Sequence, residues 1–284
     1  MKKILNWVLA ATLISGFIVS VTSCQDNEDN PAPAKKKYRL VQRKEVNEDT
    51  GAYYITDYGY DDQGRLVSYL RVGYNTQQND GPHVNADYTF TYGDHYILQK
   101  YSEDSYAYFT LNDDGLIVKE QGFVIEDGVE DPRSFFDFQY EDGRVMSYEE
   151  NGNEKFSAFH WEDGDLIYFG EKATEQPYSV TTFTHSELSV DHGYLKAPLS
   201  TMSEPLYMMG YYGKPSKHLA SHEKSEAGSK KMYTLFDRDY TYTIADGHIV
   251  EVVRETYGNT KIESMNYDML TGRTIVTTFT YEEY

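Results

Sequence analysis

FDFQYEDGRV, at residues 136–145, is the stretch that decides the fold. Aromatic and polar residues alternate up to Tyr140, which is the period-two pattern of a β-strand with one buried face. Asp142-Gly143 follows at once. Asp-Gly between alternating runs is a strong hairpin signal, because a type I′ turn needs positive φ at both central residues. The stretch predicts an antiparallel hairpin.

Similar units recur along the chain, each with aromatic residues before a glycine turn. The turn glycines are Gly64, Gly115, Gly143, Gly164, Gly247 and Gly272. Gly115 and Gly143 are 28 residues apart, and Gly143 and Gly164 are 21 apart. Two strands with two turns fill such a period. The pattern predicts an all-β fold, an antiparallel meander of repeated hairpins that forms a large curved sheet or a barrel; whether the sheet closes is left open.

The turn signal lapses between Gly164 and Gly247, and the topology of residues 165–245 is left open. Within this gap, residues 203–213 predict one short helical insert that covers a face or an end of the sheet. Ser203 is expected to cap it, with Pro205 in its first turn and Gly210 or Gly213 at its end. A polar loop is expected to follow at residues 221–230.

The N-terminus has the pattern of an export signal, with Lys2 and Lys3 before an apolar run and small residues before Cys24. Residues 1–23 are predicted to be a signal peptide. The Val-Thr-Ser before Cys24 resembles the lipobox of bacterial lipoproteins, which implies diacylglycerol on that cysteine. An ordinary secretory signal and an uncleaved single-span anchor are the alternatives. Cys24 is the only cysteine, so it forms no disulfide within the chain.

Residues 24–37 are predicted to be the lipidated cysteine and a flexible linker, because residues 25–37 read QDNEDNPAPAKKK and hold no large apolar side chain. The acidic residues Asp26, Glu28 and Asp29 resemble the export signal of Bacteroidetes lipoproteins. That resemblance implies display on the cell surface at the outer membrane; a merely solvated linker and a periplasmic location are the alternatives. Residues 38–284 are predicted to form a single β-rich domain.

Three motifs in order resemble a known family: YDDQGRL at 60–66, GYYGKPSKHL at 210–219 and YTYTIADGHI at 240–249. They are similar to an uncharacterised family of Bacteroidales lipoproteins with a domain of unknown function and a porin-like, barrel-type fold. The resemblance spans about residues 38–284. It implies an architecture and no activity.

The net charge of the chain limits the kinds of molecule that it is expected to bind. The formal net charge is −20, which repels phosphate backbones, so nucleic acid is not an expected partner. The expected partners are the membrane, through lipid on Cys24, and a glycan, lipid or protein ligand. Ligand-binding residues are not predicted.

Catalytic and metal-binding motifs are not found in the sequence. Most of the acidic residues near glycines, such as Asp142, suit turns better than general acid–base catalysis. A calcium loop around residues 110–121 would start at Thr110 and end at Gln121, which are the wrong ligands. His218 and His222 are four residues apart but lack further ligands. No catalytic residue, metal or cofactor is predicted, and the expected protein is not an enzyme.

Tyrosine is the remaining signal, with 28 residues against 13 phenylalanines. One interpretation is structural, since tyrosine suits a half-buried pleated surface. The other is a platform or cavity that stacks sugar rings or holds an amphipathic ligand. The leading hypothesis is a non-enzymatic envelope lipoprotein that binds a ligand or serves a structural role. The alternatives are a lipid carrier with residues 206–212 as a lid, a glycan hydrolase using paired carboxylates, and an integral barrel, which Glu282 in the last strand disfavours.

Overall fold

The computed structural model describes residues 37–75, 81–152, 156–172, 178–190, 196–198, 202–228, 233–257, 261–262, 267–268 and 272–284. The predicted signal peptide, Cys24 and the linker up to residue 36 lie outside the described residues. In chain order the strands are β1 (Tyr38–Asn47), β2 (Tyr53–Tyr60), β3 (Leu66–Tyr74), β4 (His83–Gly93), β5 (Tyr96–Lys100), β6 (Ser105–Leu111), β7 (Ile117–Glu126), β8 (Val129–Glu141), β9 (Arg144–Glu150), β10 (Phe156–Glu162), β11 (Asp165–Lys172), β12 (Tyr178–Ser189), β13 (His218–Gly228), β14 (Tyr233–Ala245), β15 (His248–Tyr257), β16 (Lys261–Ile262), β17 (Tyr267–Asp268) and β18 (Arg273–Glu283). One helix, α1 (Glu204–Met208), is present in these residues.

Sixteen of the described strands form a closed antiparallel barrel, and β16 and β17 pair separately. The barrel closes because β1 pairs with β18, from Tyr38 opposite Glu283 to Asn47 opposite Ile275. Apart from β16 and β17, which lie between β15 and β18 in the chain, consecutive strands are neighbours, which confirms the meander of hairpins. The prediction of a polar loop at residues 221–230 is wrong. Residues up to Gly228 belong to β13, whose row alternates between buried Glu223 and Ser225 and outward polar residues.

Asp-Gly pairs make the tight turns as predicted. Asp142 and Gly143 have φ values of 51° and 75°, and Asp163-Gly164 and Asp246-Gly247 are alike. Asp114-Gly115 differs, because positive φ is found at Gly115 and not at Asp114. There the Asn112 carboxamide oxygen accepts hydrogen bonds from the backbone of Asp114 and Leu116. The calcium-like loop is therefore a hairpin turn, as the sequence indicated.

Partly buried aromatic side chains donate hydrogen bonds to backbone carbonyls near these turns. Tyr140 donates its hydroxyl to the Ile117 carbonyl at 2.7 Å. A register shift at Ile117 removes that carbonyl from the regular ladder, so it needs another donor. The same contact joins Tyr60 to Leu40, Tyr92 to Leu66, Trp161 to Val145, Tyr242 to Ala220 and Tyr281 to Ile249. These tyrosines serve the fold, which supports the structural interpretation for them.

The insert between β12 and β13 closes one end of the barrel, here called the turn end because Gly64, Gly143, Gly164 and Gly247 lie there. Leu206 of α1 is fully buried. After α1 the chain crosses below the turns, where Lys214 N–H donates to the Gly143 carbonyl at 2.7 Å. A Cβ on Gly213 would lie 2.4 Å from that carbonyl oxygen, so only glycine fits.

The predicted helical insert is confirmed, although α1 has five residues. Pro205 lies in its first turn and Gly210 follows it with φ of 84°. The expected Ser203 side-chain cap is wrong: that hydroxyl donates instead to the Gln99 carboxamide at 2.8 Å. Ser203 therefore links the insert to the barrel wall and does not cap the helix.

The outward rows of β4, β14 and β18 are largely polar. In β14, Asp239, Thr241 and Thr243 are exposed, and Tyr240 and Tyr242, which alternate with them, point inward. In other strands the exposed outward residues include Asp87, Thr89, Thr91, Gln139, Thr182, Thr278 and Thr280. No helix within the described ranges has the length and apolar character needed to cross a membrane.

Candidate functional site: a charged chamber inside the barrel

A chamber of about 620 Å³ lies inside the barrel above the insert. Its walls include Ser179 near the start of β12, Ser225 near the end of β13 and Phe236 near the start of β14. Those strand ends lie at the far end of the barrel, opposite the turn end, and Met202 and Glu204 of the insert form the floor. The volume falls in the range of about 300–1,000 Å³ that is typical of small-molecule sites.

The chamber is rich in cations although the chain is acidic. Among the described lining residues, five carry positive charge: Arg43, Arg71, Lys196, Arg238 and Arg254. Three carry negative charge: Glu45, Glu204 and Glu223. The lining has a surplus of two positive charges, whereas the whole chain has a net charge of −20. The sign of the local charge is therefore inverted inside the barrel.

The floor of the chamber is held by ion pairs. Arg43 is 1% exposed and donates to Glu204 at 2.5 Å, which ties β1 to the first turn of α1. Arg71 of β3 contacts Glu45 of β1 at 2.7 Å. Charge-assisted contacts of this kind are strong when buried, because desolvated charges need partners. The first pair positions the insert and the second joins β3 to β1, so neither is free to bind a ligand.

Glu223 is the centre of a second charged cluster. Its side chain is 4% exposed and contacts Lys196 at 2.7 Å and Arg238 at 3.4 Å, and it accepts a short hydrogen bond from the Tyr240 hydroxyl. Burial opposes ionisation of Glu223, but the charge and hydrogen bonds of Lys196 outweigh it, so the pKa of this carboxyl is lowered. Glu223 is an anion that holds two cations at the wall.

Arg254 is different from the other cations. No described residue forms an ion pair or hydrogen bond with its guanidinium, whose buried Nε has no acceptor. Arg254 follows buried Val252 by two residues on β15, so it points into the barrel, where it lines the chamber. An unpaired guanidinium inside a protein is costly unless an anion joins it.

Neutral groups complete the lining. The hydroxyl of Thr181 donates to that of Ser225 at 3.1 Å, and both side chains are buried. Tyr148, Phe169 and Phe236 add aromatic surface. An adjoining space of about 120 Å³ is walled by more apolar residues, among them Leu219, Tyr242 and Val252. Glu45, Lys196, Ala197, Pro198, Glu223 and Arg254 border both spaces.

The residues singled out in the sequence mostly lie elsewhere. His218 pairs with Asp165 at 2.7 Å, while His222 pairs with Asp239 at 2.8 Å on the outer face. Over the described residues, no three histidine, cysteine or acidic side chains gather as a metal site requires. Asp142, Asp163 and Asp246 stay in turns.

None of the residues that line the chamber was predicted from the sequence as a binding residue. One signal could have found Arg238: Tyr240 and Tyr242 define an inward row on β14, and Arg238 precedes Tyr240 by two residues. Arg254 follows Val252 in the same way. A cation in an otherwise aromatic inward row is the pattern to seek.

Comparison with known proteins agrees with this architecture. Residues 58–253 match the model of a family described as a domain of unknown function (DUF4595) with porin-like fold. The chain belongs to this family. The resemblance predicted from the three sequence motifs is thereby confirmed for the domain and its fold.

Solved structures of the same fold are found in Bacteroides. A porin-like protein from Bacteroides uniformis ATCC 8492 is 17% identical, with a TM-score of 0.60 over 85% of this chain and 96% of its own. A porin-like protein from Bacteroides vulgatus ATCC 8482 is 11% identical, with a TM-score of 0.53 over 87% of this chain and 99% of its own. At these identities the likeness concerns the fold alone. No curated protein matches the chain.

Proposed function

We propose that this chain is a cell-envelope lipoprotein, anchored through lipid on Cys24, whose barrel stands in water and binds a ligand in the chamber without transforming it. The observation that carries the proposal is the distribution of polarity. The outer wall carries polar and charged side chains between separate tyrosines such as Tyr108 and Tyr168, and the cavity is inside.

A barrel embedded in a bilayer needs an outward apolar band about 25 Å tall, and a basic residue at mid-depth costs about 2–4 kcal/mol. Here Lys224 points outward near the middle of β13, between His222 and Glu226. The outward rows of β14 and β18 carry Asp239 and Thr278. This polarity supports a barrel outside the bilayer, held by an anchor elsewhere in the chain.

The place where the chain enters the barrel supports the same arrangement. β1 begins at Tyr38, opposite Glu283 of β18, at the turn end. The barrel therefore begins at its closed end, while the chamber lies toward the far end. The acidic residues behind Cys24 favour display outside the cell over a periplasmic location.

Binding is favoured over hydrolysis by the state of the lining acids. A glycosidase needs one carboxylic acid with a raised pKa as proton donor. The pKa of Glu223 is lowered by its cations after they overcome burial, and Glu45 and Glu204 pair with arginines. A lipid carrier is disfavoured because five cations line the chamber. The more apolar adjoining space has a volume of only about 120 Å³, which is small for a lipid chain.

Release from membranes tests the anchor. A site for a sequence-specific protease is inserted between Ala34 and Lys35 of the full chain, and membranes of expressing cells are cut without detergent. We expect the barrel in the supernatant and a diacylglyceryl group on Cys24 in the retained fragment by mass spectrometry. A scrambled site is the control. A barrel that stays in the pellet after complete cutting contradicts the proposal.

The same variant tests the side of display. Protease added to intact cells should release the barrel into the medium if the chain faces outward. Cutting that occurs only after lysis would contradict surface display and place the anchor on the periplasmic side.

A further inference from the structure

We infer that the chamber binds a small organic oxyanion, with Arg254 as the principal recognition residue and Lys196 and Arg238 beside it. The inference rests on the proposed function, because it names the chemical class of ligand for that chamber. The shared chemistry is a carboxylate or sulfate group on a body small enough for about 620 Å³.

The charge balance indicates an anion. Glu223 matches one of the two cations that it contacts, so Lys196 and Arg238 together keep one positive charge in excess. Arg254 adds another and has no partner among the described residues. Burial and the nearby charges of Arg238 and Arg254 lower the pKa of Lys196, against the opposing effect of Glu223, which shows that the three cations repel one another. An oxyanion among them would relieve that repulsion.

The geometry of the donors indicates an oxyanion in particular. Guanidinium groups offer parallel N–H donors that match the paired oxygens of carboxylate and sulfate. Lys196 is accessible from the chamber, with 38% of its side chain exposed. Arg238 is fixed by stacking on Phe236 at 3.8 Å, so its position costs little entropy on binding.

The rest of the lining indicates an organic body. The hydroxyls of Thr181 and Ser225 can pair with ligand hydroxyls. Phe169 and Phe236 present aromatic surface for a ring or an alkyl segment. An inorganic ion would not contact those aromatic rings and hydroxyls. The preferred ligand is therefore a hydroxylated carboxylate or sulfate ester.

Calorimetric titration of the full mature chain in mild detergent, at fixed chloride concentration, tests the inference. The probes are glucuronate, glucose 6-sulfate and citrate, with glucose as the neutral control and inorganic sulfate as the bare ion. We expect one saturable site for at least one organic anion and none for glucose. Preference for glucuronate over glucose 6-sulfate would assign carboxylate, and the reverse would assign sulfate ester. Absence of saturable binding by every anion would overturn the inference.

Variants then locate the site. Arg254→Met should weaken anion binding about tenfold or more, the loss of one charge-assisted contact. Arg238→Met should also weaken it. Arg133→Met removes the same charge from the exposed β8 wall and should leave binding unchanged. Equal binding by Arg254→Met and the parent chain would refute the assignment. The membrane-release experiment does not involve the chamber, so failure here and failure of the anchor proposal are distinguishable.

Discussion

The two ends of the barrel follow different physical rules. At the turn end, phenols bind carbonyls, the insert crosses the hairpins, and Leu206 and Tyr212 are almost fully buried. Toward the far end, charged side chains surround a chamber, and the guanidinium of Arg254 has no partner among the described residues. At the turn end, the polar groups named here are paired within the barrel. In the chamber, the positive charges repel one another, and a bound anion would lower that electrostatic free energy. The contrast separates scaffold from site.

Removing a ring from the insert should produce the largest effect. Tyr212 is 1% exposed, packs edge-on against Phe138 at 5.3 Å and donates to Glu120. Tyr212→Ala should lower the free energy of unfolding by about 3–5 kcal/mol, because it opens a cavity and removes the partner of a buried carboxyl. Urea denaturation measures the change. Tyr108→Ala on the outer wall is the control, and an equal loss there would contradict the distinction.

Glu120 should make the scaffold sensitive to pH. Burial raises its pKa to about 7 from the usual 4.5, partly offset by the hydrogen bond from Tyr212. Between those values the folded state keeps a proton that the unfolded state has lost, so stability falls as pH rises. Glu120→Gln should therefore stabilise the barrel by up to about 3 kcal/mol at pH 8 and by little at pH 4.

Denaturation of parent and variant across that pH range checks the prediction. A stability gain of the same size at both pH values would show that the effect comes from packing and not from the proton on Glu120.

A smaller effect is expected from the phenol-to-carbonyl contacts. Tyr140→Phe leaves the Ile117 carbonyl without its donor and should cost about 1–2 kcal/mol. Tyr168→Phe is the matched control, since Tyr168 is 41% exposed and stacks on His160 at the surface. Thermal unfolding compares the two, and equal shifts would mean that the contact contributes nothing.

Removing Arg254 from the chamber should raise the stability of the barrel, whereas the tyrosine substitutions at the turn end should lower it. Arg254→Met removes a charge that no described residue pairs with, and it should raise the stability of the ligand-free barrel by about 1 kcal/mol. Arg238→Met should lower it, because Arg238 contacts Glu223 and stacks on Phe236. Calorimetric scans of both variants without added anions decide this. A destabilised Arg254→Met variant would show that Arg254 belongs to the scaffold.

The same contrast explains what could be predicted from sequence. Asp142-Gly143 and the alternating aromatics before it are local signals, so the hairpins and the all-β fold could be predicted from the sequence. Pro205 and Gly210 likewise marked the insert. Closure of the sheet depends on pairing between Tyr38 and Glu283, which are 245 residues apart and carry no local signal.

The chamber could not be predicted from the sequence for a related reason. Arg43, Arg71, Arg238 and Arg254 lie on four different strands and meet only when the barrel closes. Each one taken alone looks like an ordinary polar residue in an alternating strand. Residues 221–230 were misassigned because β13 carries polar residues on both faces there, Glu223 and Ser225 inside and Lys224 outside.

Anomalous diffraction from crystals of the mature chain soaked in selenate, a heavy analogue of sulfate, tests the central claim most directly. We predict a selenium peak inside the barrel within hydrogen-bonding distance of Arg254, which disappears in Arg254→Met crystals while the hairpins and insert stay in place. Selenium peaks confined to outer-wall cations such as Arg133 and Lys224, with none in the chamber, would contradict it.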